Sequence, residues 1–270
     1  RTPWCVAFES PGEADGWPGT DWIESLLLRF GGADIYDKWT FHQVPFDDPA
    51  VITAGLMFDE VVSGEGYVRG GRGLISQQSN LIDVVGPLLK DDPQCWLAHR
   101  ADYLLGFLQA TAEIGKDIDF FVLPPIEAGA AVPVTGGGSF IGASVDRPEV
   151  RAFMQHALSA EWGEIWAASA KSEFLSPNLE FDVGRYGADI AESEREVRRA
   201  LGSLARDTLA AGLWRFDASD LMPPPIGSIA DARGAFWQGM LDYVDGVRTM
   251  DQVLSDIEAA WVALEAEEGG

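Results

Sequence analysis

The sequence predicts an α/β chain with few strands and many helices. Two observations predict it. Short apolar runs, too brief for helices, stand at 4–8, 95–99, 119–125 and 139–145, with a weaker one at 213–216. Between them lie longer stretches whose apolar residues recur at helical spacing, several bracketed by start and stop signals.

The first run, "WCVAF", leads into a loop rich in Gly, Pro, Trp and carboxylates. Trp22, Ile23, Leu26, Leu27 and Phe30 then mark an amphipathic helix, so residues 5–30 read as strand, loop and helix start. "DDPAVITAGLMFDEVVSGEG" offers Asp48 as cap, Pro49 in the first turn and glycines as the stop. "DRPEVRAFMQHALSA" repeats that grammar from Asp146, with Val150, Phe153, Met154, Ala157 and Leu158 on one face. "ESEREVRRALGSLARDTLAAG" keeps Val197, Leu201, Leu204 and Leu209 on a stripe and sets Glu194 one turn before Arg198. The last helix spaces Val253, Ile257, Trp261 and Leu264 the same way, and the tail "EAEEGG" reads as frayed. Two Gly- and Pro-rich joints, "EAGAAVPVTGGGSF" and "DASDLMPPPIGS", bracket a mainly helical stretch. They suggest a chain that crosses to another lobe and returns.

Bulk numbers narrow the function. The 270 residues are 47% hydrophobic, enough for a sizeable core. Forty-three acidic against 19 basic residues give a net charge of -24, which disfavours nucleic acid and anionic membrane surfaces as partners. No apolar stretch reaches the roughly 18 to 20 residues that span a bilayer. The chain opens at Arg1 in a strand-like segment, without an export signal or lipobox Cys, so the reading expects the later part of something longer. Cys5 and Cys95 each sit in an apolar, strand-like run. They read as two buried thiols in the cytosol, or as a disulfide outside the cell.

No catalytic constellation stands out. His42, His99 and His156 fall in no metal-ligand spacing, so no metal and no cofactor is expected. "GGRG" and "GGGS" lack a P-loop ending, and no G-x-S-x-G elbow occurs. What remains is the loop of residues 9–22, which sets Glu9, Glu13, Asp15 and Asp21 beside Trp17 and Trp22. Carboxylates beside indole rings suit neutral sugars. Pyranose CH faces lie on aromatic rings, and ionised carboxylates accept charge-assisted hydrogen bonds from sugar hydroxyls. Trp17, between Gly16 and Pro18, is the stacking candidate. The competing structural roles are Asp21 as a helix cap and Trp22 and Ile23 as core. A carboxylate pair would also serve a glycoside hydrolase, which is kept as the alternative.

The chain resembles extracellular solute-binding proteins of family 1, the maltose-binding-protein-like receptors of carbohydrate ABC transporters, and among them the alpha-glucoside type. "PWCVAFES", "GWPGTDWIESLLLR", "YDKW", "DDPAV", "CWLAHRADY", "DFFVLPPI", "VTGGGSFIGAS", "DRPEVRAFM" and "PPPIGSIADARGAFWQGMLDYVDG" carry the resemblance, in family order over nearly the whole chain. It implies a two-lobed, type II periplasmic-binding-protein fold with a hinge and an incomplete N-terminal lobe. Residues 1–137 and 222–270 would form the C-terminal lobe, and 138–221 the returning part of the N-terminal lobe. It implies a monomeric, non-enzymatic, extracytoplasmic receptor, periplasmic or a cell-surface lipoprotein, that hands a neutral mono- or oligosaccharide to permease subunits. It carries over ligand-binding roles for Glu9, Glu13, Asp15, Trp17, Asp21, His99, Arg100, Gly137, Gly138 and Trp237. With that localisation, it implies that Cys5 and Cys95 pair as a disulfide.

Overall fold

The computed structural model describes residues 1–12, 14–108, 112–138, 141–168, 175–186, 192–229 and 232–268. Two compact units emerge. Unit 1 comprises Arg1–Arg100, Pro124–Gly137 and Arg215–Gly270; unit 2 comprises Ala101–Leu123 and Gly138–Trp214. The sequence reading places its boundaries at 137/138 and 221/222, whereas here residues 101–123 join unit 2 and 215–221 join unit 1.

Unit 1 is built around its first ten residues. Strand β1 (Thr2–Trp4) runs parallel to β2 (Cys95–Leu97), with Thr2 opposite Cys95 and Trp4 opposite Leu97. On its other side the same segment makes parallel bridges from Trp4 to Val68 and from Glu9 to Ser79. A segment flanked on both sides is buried on both faces, which is why Cys5, Val6, Ala7 and Phe8 form an unbroken apolar run rather than an alternating one. Cys5 and Cys95, both buried, are joined by a disulfide with their Cα atoms 5.6 Å apart.

Helix α1 (Trp17–Thr40) follows the loop and is in fact two helical stretches joined at Gly32, whose φ of 77° only glycine adopts without strain. It buries Trp22, Ile23, Leu27, Leu28, Tyr36 and Trp39, while Phe30, expected on the apolar face, is exposed. Helix α2 (Pro49–Ser63) begins as its sequence predicts: the Asp48 carboxylate accepts from the Ala50 N–H at 2.8 Å, with Pro49 in the first turn. The short α3 (Ile82–Leu88) precedes β2. In the C-terminal portion, β4 (Trp214–Phe216), α8 (Ala218–Leu221) and the hairpin β5 (Ser228–Ile229) and β6 (Ala232–Arg233) lead into α9 (Ala235–Val244) and α10 (Met250–Glu268). Val253, Ile257 and Trp261 of α10 enter the main core with Leu264 packed against it, and the segment expected to fray is helical through Glu268.

Unit 2 contains α4 (Leu104–Leu108), α5 (Pro148–Ala157), α6 (Ala160–Ala167) and α7 (Glu192–Ala210). The run at 119–125 forms no strand: it ends in two prolines that lack N–H donors, and Phe121 is exposed. Of the run at 139–145, residues 139–140 lie outside the described residues and 141–145 form no strand. The strand of this region is instead β3 (Val134–Gly136), which belongs to unit 1. Helix α5 does not use Asp146 as its cap; Arg147 occupies that position and Asp146 pairs with Arg151. None of the five expected face residues of α5 is buried. In α7 the buried positions are Glu194, Arg198, Gly202 and Thr208, a face offset from the leucine stripe, with the Glu194–Arg198 pair at 3.0 Å. No helix among the described residues is long and apolar enough to cross a membrane.

Candidate functional site

The carboxylate loop is a fixed structure. Backbone bonds from Glu9 N to Gln78 O (3.0 Å) and from Asn80 N to Glu9 O (2.9 Å) extend the sheet through Glu9. Asp15 then folds the loop back, accepting from the Ser10 N–H at 2.7 Å and from the Arg233 guanidinium at 3.1 Å. Ser10 Oγ in turn accepts from the Trp17 indole N–H at 2.9 Å and the Asn80 amide at 2.6 Å. Gly16, at φ 99°, brings the loop so close to the Trp237 carbonyl that any side chain there would strike it. Glu13 lies outside the described residues.

These bonds revise three sequence-based roles. Trp17 is the first residue of α1 rather than part of the loop, and its indole N–H is directed to Ser10. Asp15 braces the loop through both carboxylate oxygens. Asp21 lies inside α1, one turn past its start, so it is not the cap of that helix; Gly16 holds the cap position.

Asp21 instead belongs to a group of carboxylates within unit 1. Burial first, then the negative charges of Asp217 and Glu24, push its carboxyl well above the usual range, while Arg100 pulls the other way. Glu24, one turn on, is wholly buried. Its Oε2 accepts from the Ala218 N–H at 2.6 Å and the Tyr36 hydroxyl at 3.0 Å, and its Oε1 accepts from the Ser219 N–H at 3.2 Å. Even with those donors, burial and Asp217 raise it to about 8. Burial and Asp220 raise Asp217 to about 7, and burial alone raises Asp220. Gly137 backs onto the pair: a Cβ there would sit 3.2 Å from an Asp217 oxygen and 3.8 Å from one of Asp220. Gly138 is exposed in unit 2.

His99 and Arg100 hold different posts. His99 lies against Trp22, with ring centroids 4.5 Å apart, and burial, aided by Arg100 and Arg29, lowers it to about 3. It is therefore an uncharged ring at neutral pH. Arg100 donates to the carbonyls of Ala7 (2.8 Å), His99 (2.8 Å) and Asn80 (3.1 Å), tying three segments of the sheet end together. Trp22 is core, as its spacing predicts, beside Trp4, Phe58 and His99. Trp237 is half-buried in α9, and its indole nitrogen is buried with no hydrogen-bond partner.

The sequence reading thus singles out Asp21 and Gly137 but misses Glu24, Tyr36, Asp217 and Asp220. The last two sit in "DASDLMPPP", legible only as a joint; their i, i+3 spacing was the available signal. Among the described residues, no group of His, Cys, Asp or Glu is arranged to hold a metal ion. The arrangement offers carboxyl groups and an uncharged histidine ring within unit 1.

No protein-family profile matches this chain, and neither does any solved structure. Among proteins of known role, it is 35% identical over 261 residues to the alpha-glucosides-binding periplasmic protein AglE of Rhizobium meliloti, covering 96% of this chain and 53% of that protein. It is 34% identical over 262 residues to the osmoprotective compounds-binding protein GgtB of Synechocystis, covering 97% of this chain and 57% of that protein. The chain spans about half the length of these relatives. Over nearly all of its own length, then, this sequence is related to proteins that bind small solutes, one of them periplasmic.

Proposed function

We propose that the chain is part of the solute-binding receptor of a carbohydrate ABC importer. In this reading it lies outside the cytoplasm, binds a neutral, hydroxyl-rich solute without turning it over, and passes it to a membrane permease. Its two units belong to the two lobes of a type II binding protein that closes by a hinge. The observation that carries the ligand class is the crowding of Asp21, Asp217 and Asp220 within unit 1. Carboxyl groups held above their usual range keep a proton closer to neutral pH than ordinary carboxylates do, and they give an anion no positive charge to pair with. They accept from hydroxyls when ionised and donate one proton when not, so they suit a polyol or sugar. Asp21, His99 and the Trp17 and Trp237 rings are the proposed contacts, with Glu9 and Gly137 at the periphery and Arg100 and Asp15 as braces. An alpha-glucoside, of the kind the Rhizobium meliloti relative is named for, fits this chemistry.

The test is titration calorimetry on the full-length protein with maltose, trehalose, glucose 6-phosphate and glucuronate, and chromatography of each mixture afterwards. A neutral glucoside is expected to bind, the anions not, and every sugar to be recovered intact. Asp21→Ala should weaken binding roughly tenfold, as loss of a buried hydrogen bond does. Tighter binding of an anion overturns the charge argument. Hydrolysis dependent on Asp21 or Asp217 favours the glycoside hydrolase instead.

A further inference from the structure

At the end of α1, away from the carboxylate group, His42 stands between two acids of α10. Its Nδ1 lies 2.6 Å from Glu265 Oε1 and its Nε2 lies 3.0 Å from Glu258 Oε2. A neutral imidazole has one N–H and one lone pair, so in either tautomer one nitrogen would aim its lone pair at a carboxylate. Only the imidazolium supplies a proton to both. Glu258 Oε2 also accepts from the Phe46 N–H at 2.6 Å, so this acid ties the ring to the following loop as well. The ring also stacks on Trp261, centroids 4.5 Å apart and planes 15° apart, a face that favours a cation.

We propose that His42 is a doubly protonated clasp joining the end of α1 to α10, one that holds unit 1 together more tightly at acid than at alkaline pH. The clasp spans two turns of α10, from Glu258 to Glu265, across Trp261, which lies in the main core. The backbone bears a cost for it: His42 is the one non-glycine described residue with positive φ, at 52°. Burial disfavours the charge, but the hydrogen bonds and charges of Glu265 and Glu258 outweigh it and raise the histidine above 6.5. The nearest charged side chains on its own helix point elsewhere, Lys38 to Asp34 at 2.7 Å and Asp37 to Arg215 at 2.5 Å. On the following loop, Asp47 meets Ser255 at 3.2 Å.

The sign follows from linkage. A histidine raised in the folded state binds a proton that the unfolded chain releases, so its stabilisation is complete below about 6.5 and is lost as pH rises through the folded value. Nitrogen-15 NMR of the His42 ring at pH 6 should show both nitrogens protonated, with a titration midpoint above 6.5. His42→Gln should lower the melting temperature by roughly 2–4 °C at pH 6, and the difference should shrink towards pH 9. Glu265→Gln, at an exposed and dispensable partner, should lower the His42 midpoint without unfolding anything. A single-tautomer ring at pH 6, a midpoint at or below 6.5, or a melting difference equal at every pH would overturn the clasp.

Discussion

Helices α10 and α5 look alike as sequence and differ as structure. Both carry apolar residues at i, i+3, i+4 and i+7. In unit 1 that stripe on α10 meets α2, α9 and the end of α1, and Val253, Leu254, Ile257 and Trp261 are nearly or wholly buried. In unit 2 the corresponding face of α5 covers nothing comparable: Phe153 is 46% exposed and Leu158 is 73% exposed. The same contrast holds between the units. The main core of unit 1 runs from Val6 to Trp261 and includes the rings of Tyr36, Phe236 and Trp261 packed around Trp39 and Phe46, whereas the buried cluster described in unit 2 is Ala167, Phe181 and Tyr186, with Leu104, Leu105, Leu108 and Ile114 buried besides. Periodicity reports which face of a helix is apolar. It does not report whether anything is there to receive it.

The largest effect that would sharpen this contrast comes from the disulfide, which closes a separation of 90 residues wholly within unit 1. On the chain-entropy view, a loop of that size is worth up to about 4 to 5 kcal/mol. Reduction should therefore lower the denaturation midpoint, and hydrogen exchange should quicken across residues 1–100 while α7 keeps its rates. Intact mass with and without reductant checks the bond itself. Exchange that quickens equally in α7 would mean the two units share one cooperative transition, and the contrast between them would lose its meaning.

Next in size is the core of unit 1. Phe236 is fully buried, edge-on to Trp39 at 5.7 Å and to Phe46 at 5.0 Å. Phe236→Ala removes a large side chain from a site braced on several sides and should cost about 3–5 kcal/mol in urea denaturation. A loss under about 1 kcal/mol would show that this cluster is loosely packed, and unit 1 would then resemble unit 2.

How much of this could be read in advance depends on how local the cause is. The Asp48–Pro49 start of α2 was legible because a cap and a proline act within one turn. The run at 4–8 was legible as a buried segment because burial on both faces leaves it unbroken, although the strand itself lies at Thr2–Trp4. The strands expected at 119–125 and 139–145 do not form over the described residues for the converse reason: an apolar run forms a strand only where a neighbour completes its ladder. On α7 the leucine stripe misled because a buried Glu194–Arg198 pair and Gly202, pressed against the Tyr186 ring, occupy the inward face. The candidate site divides the same way. Asp21 could be found from its loop, but its neighbours Asp217 and Asp220 lie almost two hundred residues away in sequence, and only folding brings them together. Asp15 and the Trp17 indole N–H make bonds that hold the loop, a role composition alone does not reveal.

The smallest expected effect tests the comparison most directly. Phe153 sits on the face of α5 that the sequence marks as buried and the structure leaves half open, with its ring edge-on to Trp162 at 5.8 Å. If helical periodicity were the better guide, Phe153→Ser would remove a core aromatic and cost as much as Phe236→Ala. With nearly half its surface in water, the ring has little transfer free energy to lose, and one aromatic contact is worth about 0.5–1.5 kcal/mol. The serine variant should therefore change the stability of the chain by no more than about 1 kcal/mol. It should also reduce any tendency of the protein to self-associate, because a half-exposed phenyl group would leave the surface. Parallel urea titrations of the two Phe variants, with light scattering on the second, make the measurement. A loss of about 3 kcal/mol at Phe153 would mean that the α5 face is buried in the folded protein, as its sequence pattern predicts, and that the difference between the two helices is not real.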